Sequence, residues 1–542
     1  MKTLKQLMIF AFVLLTAQAI WSQENEYTII PKPVQVQPAT GQFTFNSATR
    51  LVLEKGLKPE VADAFFTLAG HLKAAAGIDL KTTRSGASNV IICRPNKQLL
   101  SPESYRLNIE KNRIIVEAGD PAGFFYASQS LRQLLPAAIE SSTLQENVRW
   151  AVPCGRIDDT PNYRYRGMHL DVCRHFSTKE EVMGYIDQLA FLKINTFHWH
   201  LTEDQAWRIE IKKYPRLTEV GAFRNRTLAY NSARSLQWDN TRVGGFYTQD
   251  DIREVIDYAK KRFIQIIPEI ELPGHAVAAL AAYPEYSCSG GPFTVEGKWG
   301  IFNDVFCSRE ETFGFLEGIL DEVAALFPYP YIHIGGDECP KLRWSRCHAC
   351  QERIKAEGLK NEHELQSYFV NRIGRFLASK GKKIIGWDEI LEGDGLMPDA
   401  VVMSWRGTEG GVAAARQGHD VIMTPNQYLY LDYYQSKESG EPPAIGGFVP
   451  IQKVYEYNPT PAELTPAEAR HIWGVQANVW TEYMPNPKHR EYMIFPRIAA
   501  LAEIAWLPQD KKDYNDFKHR LLALFRHYDV EGINYSKAID KQ

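Results

Sequence analysis

The chain has 542 residues, a formal net charge of -3 and a hydrophobic fraction of 44%. That length predicts two or three domains of roughly 100–200 residues each, or one larger barrel domain beside a smaller one. Because the charge is nearly balanced, nothing points to a nucleic-acid or membrane-surface partner, which would require a strongly basic surface. The 12 Trp, 26 Tyr and 26 Phe fit large cores, and some of these rings could also line a sugar site.

The first residues have the layout of a secretory signal. Two lysines precede an apolar run over residues 7–15, and small residues such as Ala19 and Ser22 follow it. This order is typical of a cleaved signal peptide, and the run is too short to span a membrane comfortably. Residues 1–22 are therefore predicted to be a signal peptide. Since no other long apolar run follows, we expect an exported protein, periplasmic or secreted, that is soluble and has no membrane span.

Residues 23–157 predict a small α/β domain. The stretch "YRLNIEKNRIIVEA" alternates apolar and polar residues around Lys111-Asn112, which indicates a β-hairpin. The stretch "PAGFFYASQSLRQLL" has apolar residues at helical spacing.

Residues 158–510 alternate between strand and helix patterns. The eight apolar stretches are "YRYRGMHLDV", "INTFHWHL", "FIQIIPEIE", "YIHIGG", "KKIIGW", "AVVMSW", "HDVIMTP" and "HIWGVQA". Eight such strands predict an α/β fold, a (β/α)8 TIM barrel preceded by the small α/β domain, over the alternative of a doubly wound open sheet. Residues 511–542 are predicted to form a C-terminal helical tail.

Helix boundaries within the barrel follow from capping patterns. Ser177 and Glu180 have the spacing of a capping box, and Ser308 and Glu311 repeat it before a later helix. The stretch "REYMIFPRIAALAEIAW" is predicted to be one closing helix.

Acids, aromatic residues and a few cations collect at the predicted strand ends, which in a barrel face the active site. Asp337 and Glu338 are adjacent after "YIHIGG", where two glycines are expected to leave room for a ligand and to let both acids turn into the mouth. There is no Gly-rich phosphate loop and no serine nucleophile elbow. His198 and His200 share one strand face and are interpreted as hydrogen-bonded barrel residues, with metal ligation as the alternative. This inventory suits glycoside chemistry, in which a carboxylic acid protonates the leaving oxygen.

The eight cysteines allow more than one interpretation. Cys288 and Cys307 flank one Gly-rich loop and are candidates for a disulfide. The stretch "CPKLRWSRCHAC" is compatible with a disulfide, with free thiols or with zinc held by Cys339, Cys347, His348 and Cys350. Disulfide or thiol chemistry is favoured here, so no metal site and no cofactor are predicted.

Seven motifs in order resemble family 20 glycoside hydrolases, the β-N-acetylhexosaminidases. They are "LDVCRHF", "FHWHLTEDQAWR", "PEIELPGH", "HIGGDE", "GWDEI", "MSW" and "GVQANVWTE", and they span residues 166–482. The resemblance implies an exo-acting enzyme that releases terminal non-reducing GlcNAc or GalNAc from glycans. It also implies retention of configuration through an oxazolinium intermediate that the substrate's own acetamido group forms. Members of the family often dimerise, so a homodimer is possible, and the sequence leaves the oligomeric state open.

The resemblance carries the family's roles to positions of this chain. Glu338 would be the general acid and then the general base, and Asp337 would hold the 2-acetamido group. His275, with Glu203, would form a relay that tunes Glu338. Many members have two aspartates where this chain has Glu203-Asp204, so the geometry of that relay stays open. The residues that would bind substrate are Arg174, Trp387, Trp405, Tyr430, Asp432, Trp480 and Glu482.

Three other functions remain open from the sequence. A lacto-N-biosidase-like or sulfated-hexosamine-specific enzyme would carry the same motifs and would differ in loops such as "NRTLAYNSARSLQWDNTRVGG". A catalytically silent sugar-binding protein would have no need of the intact Asp337-Glu338 pair. A zinc hydrolase would use the cysteine-rich stretch.

Overall fold

The computed structural model describes residues 27–58, 60–86, 88–99, 101–232 and 235–539. The described residues form two compact units: residues 27–162 with 506–533, and residues 163–505 with 534–539. The predicted signal peptide lies outside the described residues. No helix within the described ranges is long and apolar enough to cross a membrane.

The first unit contains a seven-stranded sheet. Its strands are β1 Gln35–Thr44, β2 Arg50–Leu53, β3 Lys81–Thr83, β4 Val90–Pro95, β5 Tyr105–Ile109, β6 Arg113–Ala118 and β7 Ala151–Asp159. Their order in the sheet is β1-β7-β5-β6-β4-β2-β3. β5 and β6 pair antiparallel, as the predicted hairpin requires. The helices of this unit are Glu60–Asp63, Phe66–Ala76, Pro121–Leu134, Tyr514–Glu531 and the 3-10 helices Ala137–Glu140 and Gln509–Lys511. The helix Tyr514–Glu531 lies within the predicted C-terminal tail and groups with this unit.

The second unit is a closed barrel of eight parallel strands, which confirms the predicted TIM barrel. In chain order the barrel strands are Tyr165–Asp171, Thr196–His200, Gln265–Leu272, Tyr331–Gly335, Lys383–Trp387, Val401–Ser404, Val421–Met423 and Ile472–Ala477. Each of the eight apolar stretches in the sequence supplies one strand. Nearly every residue of these strands is buried, as expected for parallel strands covered by helices.

Helices and short hairpins connect the barrel strands. The helices of eight or more residues are Lys179–Phe191, Gln249–Lys260, Glu310–Leu326, His348–Ala356, Glu362–Ser379, Glu409–Arg416, Pro487–Ile494 and Arg497–Trp506. The shorter ones are Arg216–Glu219, Val277–Ala282, Leu342–Arg346, Asn426–Leu429, Ile451–Glu456, Pro466–Ala469 and the 3-10 helices Pro284–Tyr286 and Asp388–Leu391. The paired short strands are Thr202–Glu203 with Ala206–Trp207, Phe223–Arg224 with Val243–Gly244, and Leu228–Ser232 with Ser235–Trp238.

The predicted helix caps were wrong in two places. The capping box of the first barrel helix is formed by Thr178 and Glu181, one residue after the predicted pair. Both pairs have the same spacing, so the sequence pattern alone does not choose between them. The helix Glu310–Leu326 begins after Arg309 and has no side-chain cap, so Ser308 does not cap it.

The predicted closing helix is also divided. It forms two helices, Pro487–Ile494 and Arg497–Trp506, with Pro496 at the break. Proline has no N–H to donate and its ring clashes with the preceding turn, so a continuous helix cannot pass through it.

Candidate active site

All the predicted site residues lie at the carboxyl ends of barrel strands or in the loops that follow. In strand order these residues are Arg174, Glu203, His275, Asp337 with Glu338, Trp387, Trp405, Tyr430 with Asp432, and Trp480 with Glu482. Because the strands are parallel, these ends surround one mouth of the barrel.

The backbone after the fourth barrel strand turns two adjacent acids toward one histidine. The strand ends at Gly335, and Gly335, Gly336 and Glu338 all have positive φ, at 67°, 92° and 44°. The usual alternation of side chains therefore ends here. Asp337 Oδ2 lies 3.7 Å and Glu338 Oε2 lies 3.5 Å from Nε2 of His275. Both carboxylates thus approach the same nitrogen of one imidazole.

The space beside the two glycines is filled by protein side chains, which corrects the expectation that it is left for a ligand. A Cβ atom on Gly335 would lie 1.7 Å from Oε2 of Glu271, and one on Gly336 would lie 2.7 Å from Cγ2 of Ile390. The glycines therefore permit the turn and the close approach of Glu271 and Ile390.

His275 joins the paired acids to two further carboxylates. Its Nδ1 atom lies 2.7 Å from Oε1 of Glu203 and 3.0 Å from Oδ2 of Asp204. The predicted contact with Glu203 is present, and Asp204 is a second partner that the sequence analysis did not assign to the site. Asp204 is fixed in place because its Oδ1 accepts the N–H of Val277 at 3.0 Å.

His275 and Glu338 both have a left-handed backbone, at φ 47° and 44°. Residues other than glycine rarely take this backbone conformation, and each one that does costs of order 1–3 kcal/mol of folding free energy. Strain of this kind concentrates at functional sites, where the surrounding structure holds it.

The charges of this cluster are set by burial and by the neighbouring groups. Burial favours a neutral imidazole, but the carboxylates of Glu203, Asp204 and Glu338 together outweigh it and raise the pKa of His275 well above its usual value. Burial raises the pKa of Asp337 to about 7, and Glu338 adds to this effect against the opposing charge of His275. The site therefore pairs a stable imidazolium with an acid that ionises near neutral pH.

Arg174 is held by groups on three sides. Its Nη2 lies 2.9 Å from Oε2 of Glu203, its Nε donates to Oε1 of Gln205 at 3.0 Å, and its guanidinium lies 5.1 Å from the ring centroid of Trp480. Glu482 is more distant, at 4.0 Å. The Arg174 side chain is only 9% exposed. Together with these contacts, its burial holds the guanidinium in one orientation.

Four aromatic rings form one connected wall. Trp405 stacks on Tyr430 at 6.1 Å, Tyr430 lies 6.2 Å from Trp480, and Trp480 lies 5.9 Å from Trp387. Trp405 also donates from Nε1 to Oε2 of Glu389 at 2.9 Å, which fixes the plane of its ring. Trp387 is almost completely buried and forms the base of this wall, whereas Trp405 and Trp480 are half-buried.

Several buried carboxyl groups have an oxygen that no group in the described residues satisfies, and two of them lie beside Trp480 at the mouth. These two oxygens are Oδ1 of Asp432 and Oε2 of Glu482. Both residues line one small cleft together with Ile445 and Trp480. Burial raises the pKa of each group, to a large extent for Asp432. A ligand with hydroxyl groups would supply the missing hydrogen bonds.

A buried ionic network supports the site from inside the barrel. Oxygens of Glu269 contact His200, His198 at 3.0 Å and His333 at 2.8 Å, and accept Nε1–H of Trp387 at 2.8 Å. This agrees with the interpretation of His198 and His200 as hydrogen-bonded barrel residues. Although burial opposes its charge, Glu269 raises the pKa of His200 to about 10.

A closed (β/α)8 barrel with paired acids, an aromatic wall and unsatisfied hydroxyl acceptors at its mouth defines a glycoside hydrolase. Comparison with known families agrees: residues 163–509 match glycosyl hydrolase family 20, catalytic domain, and residues 26–160 match domain 2 of that family. The chain belongs to glycosyl hydrolase family 20.

Individual relatives are similar over most of this chain. A beta-hexosaminidase of Porphyromonas gingivalis is 46% identical over 95% of this chain, which spans 65% of that relative's length. A beta-hexosaminidase of Vibrio furnissii is 37% identical, and the match covers 88% of this chain and 76% of that relative's length. A solved exo beta-N-acetylglucosaminidase of Vibrio harveyi, in complex with N-acetylglucosamine, has a TM-score of 0.82 at 35% identity, covering 94% of this chain and 78% of that one.

Proposed function

We propose that this protein is an exo-acting β-N-acetylhexosaminidase that releases terminal non-reducing GlcNAc or GalNAc from glycans. The observation that carries the proposal is the convergence of Asp337 and Glu338 on His275 at the mouth of the barrel. The names of the relatives support it, as does the complex of the Vibrio harveyi enzyme with N-acetylglucosamine.

Glu338 is the proposed general acid. It is the more exposed of the two acids, with a side chain that is 33% accessible against 12% for Asp337. It can therefore reach the glycosidic oxygen and give it a proton as the C1–O bond breaks. The resulting carboxylate, beside His275, then takes a proton from the water that attacks C1.

The placement of the two acids supports an internal nucleophile. A retaining enzyme with two catalytic carboxylates needs them about 5–5.5 Å apart on either side of the scissile bond. Asp337 and Glu338 are instead adjacent in the chain and both approach one nitrogen, Nε2 of His275. We propose that the acetamido oxygen of the substrate attacks C1, forming an oxazolinium ion and displacing the leaving group. Asp337 accepts the acetamido N–H and balances the positive charge, and water then opens the ring with net retention.

The remaining site residues have matching roles in this proposal. Trp405, Tyr430 and Trp480 enclose the acetamido group and the sugar ring, and the Tyr430 hydroxyl donates to the acetamido oxygen. Arg174, Asp432 and Glu482 bind sugar hydroxyls, because the acceptors among them have oxygens without partners in the described residues.

A panel of chromogenic aryl glycosides tests the proposal. Aryl β-GlcNAc and β-GalNAc should be hydrolysed, whereas aryl β-glucoside, which has a hydroxyl in place of the acetamido group, should be nearly inert. Equal rates on GlcNAc and glucose substrates would exclude the internal nucleophile. Preferred release of an intact disaccharide would favour the lacto-N-biosidase-like function, and no hydrolysis at all would favour a silent binding protein.

We also propose that the protein is exported and that it forms a homodimer. The signal-like layout of residues 1–22 supports export, and the dimer follows from the family alone. N-terminal sequencing of the protein purified from its native host would test cleavage after residue 19 or 22, and analytical ultracentrifugation would test the oligomeric state.

A further inference from the structure

Four cysteines from two separate segments of the chain converge on one point of the barrel unit. They are Cys288, Cys307, Cys347 and Cys350, and their Sγ atoms all lie within 4.8 Å of one another. Cys307 and Cys350 are buried, and the other two are partly exposed. We infer that these four thiolates form a structural zinc site.

The sulfur–sulfur distances match a tetrahedral metal site. With zinc–sulfur bonds of about 2.3 Å, the edges of a regular tetrahedron of sulfur atoms are about 3.8 Å long. The observed distances are 3.6 Å for Cys307–Cys350, 3.7 Å for Cys307–Cys347 and 3.7 Å for Cys288–Cys350. Four thiolates in a tetrahedron are the ligand set typical of structural zinc.

The same distances argue against two disulfides. A disulfide joins each sulfur to one partner at about 2.05 Å and leaves it apart from the others. Cys307 is instead equally close to Cys347 and Cys350, and Cys350 is equally close to Cys288 and Cys307. These distances prefer no pairing, and the Cys288–Cys307 disulfide that the sequence offered as a candidate is not formed. A single shared centre accounts for the equal spacing.

The surroundings fit a negatively charged tetrathiolate. Zinc with four thiolates carries a net charge of -2, and Arg309 supplies a cation by donating from Nε to Cys307 Sγ at 3.3 Å. The same guanidinium donates from Nη2 to the carbonyl of Ser287, so its position is fixed. Donors of this kind around the sulfur ligands are a usual feature of metal sites.

The ligand set differs from the one considered from the sequence. Cys347 and Cys350 are shared, but Cys339 and His348 are replaced by Cys288 and Cys307, which lie about 40 to 60 residues earlier in the chain. All four coordination positions are occupied by protein, so no position is open for water or substrate, and the site is structural rather than catalytic.

The site would join the two loops that carry the catalytic groups. Cys288 and Cys307 belong to the segment that follows His275, and Cys347 and Cys350 belong to the segment that follows Glu338. These segments already contact each other through Trp344 Nε1–H, which donates to the carbonyl of Phe306 at 2.9 Å. A metal here would hold the loop of His275 against the loop of Glu338.

Metal analysis of the full-length protein tests the inference. The protein is produced without a polyhistidine tag, purified without chelator and analysed by inductively coupled plasma mass spectrometry. We expect one zinc per chain and four thiols that react only after denaturation with a chelator. Replacement by Co²⁺ should give the visible absorption of a tetrahedral cobalt thiolate.

Variants distinguish a zinc site from a cluster of buried thiols that binds no metal. Cys307→Ser should lose the zinc, whereas Cys93→Ser, at a buried cysteine of the other unit, should keep it. Cys307→Ser could fail to fold, so a second variant, Cys350→His, is also measured. Three cysteines and one histidine still bind zinc, and this variant should therefore keep the metal. Retained zinc in that variant supports the site. Protein that carries two disulfides, free thiols that do not bind added zinc, or iron in place of zinc would each overturn the inference.

Discussion

The Nε2 atom of His275 lies 3.5 Å from Oε2 of Glu338, while Nδ1 of the same ring lies between the carboxylates of Glu203 and Asp204. One imidazolium therefore connects the proposed general acid to two buried anions. Because Glu203 also binds Arg174 at 2.9 Å, it serves two parts of the site, whereas Asp204 contacts His275 and not Arg174.

Substitutions at these two anions should have different kinetic effects. Glu203→Gln weakens the hold on Arg174 and also removes the nearer carboxylate from His275, so we expect KM to rise and kcat to fall. Asp204→Asn removes charge next to His275 alone, so we expect kcat to fall about 10- to 100-fold, as for other groups that orient a catalytic residue. Steady-state kinetics on aryl β-GlcNAc measure both constants. The same pattern in both variants would contradict the separation of roles.

Glu338→Gln should abolish most of the activity and leave the fold intact. An amide cannot donate the proton that the leaving oxygen needs, and general acid catalysis contributes roughly 10²- to 10⁴-fold. The rate on aryl β-GlcNAc and the thermal midpoint measure the two effects. Glu352→Gln, at an exposed glutamate, is the matched control and should change neither. Near-wild-type turnover in Glu338→Gln would contradict the assignment.

The barrel could be predicted from the sequence because each of its strands is a short, continuous apolar run between helical segments. The site residues could be located because they follow those runs. The shared role of Asp204 could not be predicted, since two adjacent acids after a strand give no indication of which one reaches His275. The cysteine cluster could not be predicted either, because Cys288 and Cys307 approach Cys347 and Cys350 only when two distant segments of the chain fold together. The first barrel helix is capped by Thr178 and not by the predicted Ser177, and the sequence could not decide between them because the capping-box spacing fits both positions.

Asp337→Asn should change how the stability of the protein depends on pH. The folded protein holds the proton of Asp337 up to about pH 7 because burial disfavours the charge, whereas the unfolded chain releases it near pH ~3.9. The folded state thus binds more protons between these values, and stability is lost as the pH rises through this range. Asparagine cannot ionise and avoids this loss.

The thermal midpoint of Asp337→Asn, relative to that of the wild type, should therefore be higher at about pH 8 than at about pH 5. The difference between the two pH values should be roughly 2 °C or more. The same variant should hydrolyse aryl β-GlcNAc slowly, because the oxazolinium charge loses its partner. A midpoint difference that does not depend on pH would show that Asp337 is ionised throughout this range.

The turn after the fourth barrel strand should depend on Gly335 for space as well as for conformation. Gly335 and Gly358 have the same φ of 67°, but a Cβ on Gly335 would meet Glu271 at 1.7 Å, whereas nothing lies within 4 Å of one on Gly358. Gly358→Ala should therefore cost only the left-handed conformation, about 1–2 kcal/mol. Gly335→Ala should cost that and the clash in addition, so its thermal midpoint should fall much further.

Removing the side chain of Glu271 should separate the cost of the clash from the cost of the left-handed backbone conformation. In a Glu271→Ala background, Gly335→Ala should lower the thermal midpoint by no more than Gly358→Ala lowers it in the wild type, because only the conformational cost remains. A double-mutant cycle over the two positions gives the coupling directly. If Gly335→Ala is equally damaging with and without Glu271, the close approach of that carboxyl group is not what requires a glycine at this position.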